Sequence, residues 1–414
     1  MTSLDGLRGI AILAVMLHNA RYLRGGFLGV DIFFVLSGFL ITVLLLQERQ
    51  RSGTIRLGAF YARRALRLLP ALFTLLAVVL LAPGLFYLRA PPWKDAAIAA
   101  FYGTNWVNAF GLRNMAIFDH TWSLTVEEQF YVLWPPLMLV LLAARVRRAR
   151  ILSMVLAGIG ASTGLRVLLW DGPASIERLY YGLDTRFDAL LVGCLVALLV
   201  SWDLIPRTGK AVVAIRVIAG ASAVVLGFLL LTASRESRLT YHGVSTLACA
   251  AVAGLLLHVV YCPSRLRTLV LDNAPLVWVG GISYSLYLWH DPLFLDLLNS
   301  TRMAKLGLSG PAVLVVRFIA AFAAASLSFY LIERPFLRIK RRFGGAGAPV
   351  TPPATEVVPP DLVSRAALDL SRRQEEEHGG GGVQSGRVER QESAGGSDES
   401  DRRRGHRAPV PRDP

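Results

Sequence analysis

Hydrophobic positions along this chain are gathered into long runs, several of which approach the ~20 residues needed to cross a bilayer. Polar, arginine-rich connections separate them. Ten such windows can be drawn, near residues 6–22, 27–47, 66–88, 124–144, 151–169, 187–201, 211–232, 243–261, 276–298 and 311–331. The sixth is short, because Asp184, Arg186 and Asp188 crowd its start. The pattern predicts an all-α membrane protein of about ten transmembrane helices. After Phe343 it stops: the run Gly379 to Gly382 and the cluster Arg402 to Arg404 lie in a stretch rich in Gly, Pro, Ser and charge. Such a composition cannot bury a core and predicts a disordered tail. The chain therefore divides into a transmembrane domain, 1–342, and a tail, 343–414.

Composition agrees with the pattern, since 54% hydrophobic residues with only 18% charged are too apolar for an ordinary soluble domain. The first apolar run is read as a permanent helix and not a secretory leader, because Met1 to Asp5 lack a basic stretch and no small-x-small cleavage site precedes Arg21. The net charge of +15 resides in the membrane part, as the tail holds slightly more acidic than basic residues. Alternate loops divide the cations unequally. The set holding Arg49, Arg51, Arg56, Arg63, Arg145, Arg147, Arg148, Arg150, Arg334 and Arg338 carries about twice as many Lys and Arg as the opposite set, which makes both termini cytoplasmic. This accounts for the basicity without a nucleic-acid partner. Cys194, Cys249 and Cys262 lie in or at the edge of apolar segments without metal-ligand spacing, so they read as packing residues, with no disulfide framework and no metal.

Charges inside such windows usually mark a site. Arg8 and His18 lie on one helix, roughly 15 Å apart at ~1.5 Å per residue, and His18 is the best general-base candidate because imidazole titrates near neutrality. Asp31 opens the second window, where it can orient that imidazole or pair with an arginine. Gly25, Gly26, Gly29 and Gly38 permit close backbone approach. Arg64 and Arg67, three residues apart, share one helix face and suit phosphate recognition, although a topology-setting basic cluster explains them equally well. Glu127 shares a helical stripe with Phe130, Tyr131 and Trp134, and is the more inward of the pair Glu127 and Glu128. Arg186 reads structurally, as the neutraliser of Asp184 and Asp188. The segment 89–122 brings Trp93, Trp106, Trp122, Asn105, Asn108 and His120, a mix suited to a membrane interface or a sugar-like ligand. The ninth window carries Ser283, Ser285 and His290, and Glu333 closes the tenth.

Taken together, Leu4-Asp5-Gly6-Leu7-Arg8-Gly9 with His18, Gly29-Val30-Asp31-Ile32-Phe33-Phe34, Arg64-x-x-Arg67, Ser123-Leu124-x-x-Glu127-x-x-Phe130-Tyr131 and Ser283-Tyr284-Ser285-Leu286-Tyr287-Leu288-Trp289-His290 resemble the acyltransferase-three family of integral-membrane O-acyltransferases. The resemblance implies ten transmembrane helices in the cell membrane. It also implies transfer of an acyl group, usually acetyl, from cytoplasmic acyl-CoA to a hydroxyl of a carbohydrate or other acceptor. It makes Arg8 and His18 essential and assigns Arg64 and Arg67 to the donor. Some members add a C-terminal hydrolase-like domain; the residues from Phe343 are too few and too polar for one, which leaves any second transfer step to a separate periplasmic or extracellular protein. Acetyl-CoA or another acyl-CoA is the expected donor, and Asp31 or Glu127 the expected partner of His18. Surface polysaccharide, peptidoglycan, a glycolipid and a macrolide-type metabolite all remain open as acceptors. The competing reading, a transporter or flippase of a glycan or lipid-linked intermediate, also uses intramembrane charge but calls for repeated halves, which are not visible in the sequence.

Overall fold

The computed structural model describes residues 2–340. The tail assigned to 343–414 lies outside the described residues. Among those described there is no β-strand: the structure is a bundle of helices. It opens with α1 (Thr2–Asn19), α2 (Gly29–Ser52) and α3 (Leu57–Leu81). Two short helices, α4 (Trp93–Ala100) and α5 (Thr104–Ala109), and a 3-10 turn at Ala116–Thr121 lead to α6 (Trp122–Ala143). Then come α7 (Arg148–Leu168), the short α8 (Ile176–Tyr181), α9 (Leu183–Ser201), α10 (Gly209–Thr232) and α11 (Ser245–Tyr261). The chain continues through α12 (Arg265–Leu271), α13 (Ala274–Gly281), α14 (Ser283–Asp291), α15 (Ser300–Lys305), α16 (Pro311–Leu327) and α17 (Arg334–Lys340).

Helix forms at each of the ten apolar windows, and seven helical stretches are long and apolar enough to cross a membrane: Gly26–Ser52, Leu57–Leu81, Ile117–Ala143, Arg148–Leu168, Gly209–Thr232, Thr240–Tyr261 and Pro311–Arg338. The three windows that fall short do so for identifiable reasons. In α1, Asp5, Arg8, His18 and the polar ends dilute the apolar run. In α9, Asp184, Arg186 and Asp188 occupy the first turns. The ninth window is interrupted between α13 and α14, and after Asp291 it continues as a π-helical turn, Pro292–Leu297. Helix α3 starts well before the window drawn for it, because its first turns carry Arg63, Arg64 and Arg67, which lower hydropathy without breaking helix.

Packing separates an interior from a rim. The apolar window of Gly26–Ser52 is 78% buried inside the bundle, whereas that of Gly209–Thr232 is 28% buried. Exposed Val217, Val224 and Leu231 on α10, and Val132 and Val140 on α6, form an apolar outer surface suited to lipid. Helix α2 packs on α9, α9 on α7, α10 on α11, and α1 on both α2 and α13. The contact of α2 with α9 is made backbone to backbone: a methyl group at Gly38 would overlap the Leu190 carbonyl, and one at Gly193 the Val35 carbonyl. Glycine permits this approach, as small residues do at helix crossings in membranes.

Candidate active site

Helices α1, α3 and α6 bring together the charged residues that the sequence singles out. Arg64, in the second turn of α3, donates from Nε to Glu128 Oε1 at 2.7 Å and lies 3.8 Å from Glu127 Oε2. Its guanidinium sits 3.3 Å from the centroid of the Tyr131 ring. Glu127 is held from the other side by the Ser37 hydroxyl of α2, which donates to Oε1 at 2.8 Å. Arg67 follows one turn after Arg64 and lies in the field of the like charges of Arg8 and Arg64, with Asp5 and Glu333 as the nearest opposing acids beyond contact. Neither Arg8 nor Arg67 makes an ion pair or a side-chain hydrogen bond among the described residues. Unlike Arg64, these two guanidiniums have no carboxylate in contact, although all three are at most partly exposed. Concentrated, half-sheltered cations of this kind suit a polyanion such as a phosphate ester.

His18 lies near the opposite end of α1 from Arg8. Its Nδ1 is 3.1 Å from the Leu23 carbonyl oxygen. A carbonyl only accepts, so Nδ1 carries a proton, and in the neutral ring the lone pair is on Nε2. Phe27 packs edge-on against the ring, with centroids 5.6 Å apart, and the side chain remains partly exposed. Among the described residues neither Asp31 nor Glu127 bonds His18. The backbone does the orienting that a carboxylate was expected to do.

Asp31 is instead fully buried and ion-paired with Arg186 of α9, Nη2 to Oδ2 at 3.0 Å. The local neutralisation read for Arg186 is thus corrected. Asp184 pairs with Arg178, at 2.9 Å from Nη1 to Oδ1, and Asp188 with Arg166, at 2.6 Å from Nη2 to Oδ2. The reason is helical geometry: residues two apart point in different directions, so Arg186 cannot reach Asp184 or Asp188 along its own helix.

A second polar group forms where the C-terminal end of α1 meets the end of α14. Asn19 Nδ2 lies 3.0 Å from His290 Nε2 and donates to Asp291 Oδ1 at 2.9 Å, and His120 Nδ1 is 3.5 Å from Asp291 Oδ2. Nearby, outside the long helices, burial pushes the Tyr181 phenol up, so it stays protonated and donates to Asp119 Oδ2 at 3.2 Å. Among the described residues no group of three or more His, Cys, Asp or Glu side chains is arranged to hold a metal ion.

The family model for the acyltransferase-three domain, described as an acyltransferase domain, matches residues 1–331. The chain belongs to the acyltransferase-three family. The matched domain is the one that the sequence motifs resemble. Among its relatives are a peptidoglycan O-acetyltransferase of Listeria monocytogenes, 34% identical over 80% of this chain and 55% of the relative, and a putative O-acetyltransferase of Staphylococcus aureus strain MSSA476, 36% identical over 81% and 57%. A third, the O-acetyltransferase of S. aureus strain NCTC 8325, is 34% identical over 81% and 57%. The chain thus matches little more than half the length of these curated relatives. No solved structure is similar to it.

Within this acyltransferase domain the structure joins Arg64, Glu127 and Glu128, with Arg8 and Arg67 in electrostatic reach, and sets Asp31 apart. Reading the sequence missed Asn19 and Asp291. Their signal was only that Asn19 follows His18 and Asp291 follows His290, each a polar residue at the end of an apolar helix.

Proposed function

We propose that this acyltransferase is a membrane O-acetyltransferase that moves an acetyl group from cytoplasmic acetyl-CoA, or another acyl-CoA, to a hydroxyl on the far side of the membrane. Arg8, Arg64 and Arg67 hold the phosphates of the donor, with Glu127 and Glu128 fixing the Arg64 guanidinium. The arginine excess in the loops of one side puts this cluster towards the cytoplasm. His18 Nε2 takes the proton of the acceptor hydroxyl as its oxygen attacks the thioester carbonyl. The new C–O bond forms, the C–S bond breaks, and the imidazolium returns the proton to the leaving thiolate. Asp31 supports the bundle through Arg186 and takes no part in the proton transfer.

The observation that carries the proposal is the pairing of two guanidiniums without carboxylates in contact, on Arg8 and Arg67, with an imidazole further along α1 that is held at Nδ1 by the Leu23 carbonyl and makes no hydrogen bond at Nε2 among the described residues. The O-acetyltransferase names of the relatives support acetyl as the group, and the peptidoglycan of the Listeria relative is the first acceptor to try. The test uses the purified chain in lipid nanodiscs with radiolabelled acetyl-CoA and peptidoglycan fragments. His18→Ala should lower transfer by about 10²–10⁴-fold while the thermal unfolding midpoint stays at that of the parent. Transfer at the parental rate by that variant would remove His18 from the mechanism.

A further inference from the structure

Three separated segments converge on one buried group that the proposed chemistry does not use. Asn19 closes α1, His120 lies in the turn Ala116–Thr121, and His290 and Asp291 end α14. His290 Nδ1 lies 2.8 Å from the Tyr287 carbonyl and 3.1 Å from that of Leu286, so Nδ1 is the protonated nitrogen and Nε2 accepts from Asn19. Asn19 spends its amide protons on His290 and on Asp291 Oδ1. Asp291 Oδ2 is left facing His120 Nδ1 across 3.5 Å, too far for a good hydrogen bond. His120 is 6% exposed, and neither ring nitrogen makes a well-formed hydrogen bond, although the Leu288 and Ile117 backbones lie beside the ring. Tyr287 frames the group: its hydroxyl donates to the His120 carbonyl at 2.7 Å and accepts from Ser123 at 2.7 Å.

A buried imidazole whose nitrogens are held only loosely is costly, and such a gap in a native structure calls for a ligand or a bound water. The groups left without a well-formed bond here are the Asp291 Oδ2 oxygen and the facing His120 edge. A hydroxyl, donor and acceptor at once, satisfies both kinds. The group contains carboxylate and imidazole but no guanidinium or ammonium, which disfavours a phosphate. It adjoins the proposed base through the peptide bond between His18 and Asn19, and it lies roughly 16 Å along α1 from Arg8.

We propose that Asn19, His120, His290 and Asp291 form the acceptor subsite, taking the hydroxyls of a neutral saccharide on the edge between Asp291 Oδ2 and His120. This rests on the acyl-transfer reading above and supplies its acceptor half. The turn Ala116–Thr121 packs against α14 and the π turn after it, so all four residues lie at one helix junction.

The test measures saccharide binding without any donor, so that it stands apart from the role of His18. The full chain in nanodiscs is titrated with the neutral tetrasaccharide of N-acetylglucosamine, and tryptophan fluorescence is read. Saturable binding is expected, weakened at least tenfold in His120→Gln and Asp291→Asn and unchanged in Val217→Ala on the outer face of α10. Retention of radiolabelled acetyl-CoA should be the same in the parent, His120→Gln and Asp291→Asn, which also shows that both variants are folded. The proposal is overturned by absence of saturable binding to the parent, by unaltered binding in both subsite variants, or by loss of saccharide and acetyl-CoA binding together. Should His18→Ala retain transfer while saccharide binding maps to these residues, the base assignment falls and the subsite stands.

Discussion

Two of the charged groups inside this bundle are built on different principles. Between α2, α7, α9 and α11, Asp31 meets Arg186 and Asp188 meets Arg166, two acids and two bases whose side chains are all 0–1% exposed. Arg166 grips Asp188 with both terminal nitrogens, at 3.0 and 2.6 Å, and the same Nη2 donates to the Thr246 hydroxyl at 2.6 Å. This quartet is neutral, and each charge is answered by protein. Between α1, α3 and α6, by contrast, only Arg64 is paired, with Glu127 and Glu128, whose side chains keep 15–20% exposure. Arg8 and Arg67 add charge without a contacting carboxylate. In this bundle the proposed site is the group that keeps cations without a contacting carboxylate. Complete pairing marks a clamp.

The comparison breaks or sharpens under substitution. The largest effect is expected from Asp31→Ala, which leaves Arg186 charged and buried alone. A loss of about 3–5 kcal/mol is expected, visible as a collapse of the unfolding midpoint in detergent, and a parental midpoint would deny the quartet its role. Replacing both partners, Asp31→Leu with Arg186→Met, should cost clearly less than Asp31→Ala, since the desolvation of both charges disappears with them. Arg67→Ala belongs to the other group and should do the reverse. Its midpoint should stay put while the KM for acetyl-CoA rises about 10- to 100-fold, the worth of one charge-assisted hydrogen bond; a lower midpoint with unchanged KM would make Arg67 part of a clamp. The smallest effect is expected from Ser37→Ala, which removes one bond to Glu127 and about 1 kcal/mol of restraint, read as a few-fold change in kcat/KM.

Positions of the helices were legible because lipid imposes a length and a polarity on each crossing, and helix forms at every apolar window. Their edges were less so. Hydropathy penalised Arg63, Arg64 and Arg67, although arginine is a good helix former, and hid the first turns of α3. Of the site, Arg64 and Arg67 could be grouped because three residues along a helix share a face. The partner of His18 could not be foreseen, since the Leu23 carbonyl is a backbone group that every residue type supplies. Nor could the partner of Asp31, which lies 155 residues away on α9. Helical periodicity could have excluded the wrong partners for Arg186, but only three-dimensional packing could supply the right one.

The glycine crossing of α2 and α9 has a further bearing on that ion pair. Asp31 and Gly38 are separated by two turns on α2, and Arg186 and Gly193 by two turns on α9, so the helices run parallel with their contacts at matched heights. One added or deleted residue in either interval would swing Asp31 or Arg186 by about 100° away from its mate. The two helices thus act as one unit: a chimera that exchanges α2 keeps the ion pair where the incoming helix preserves the Asp-to-Gly interval, or where its own α9 travels with it.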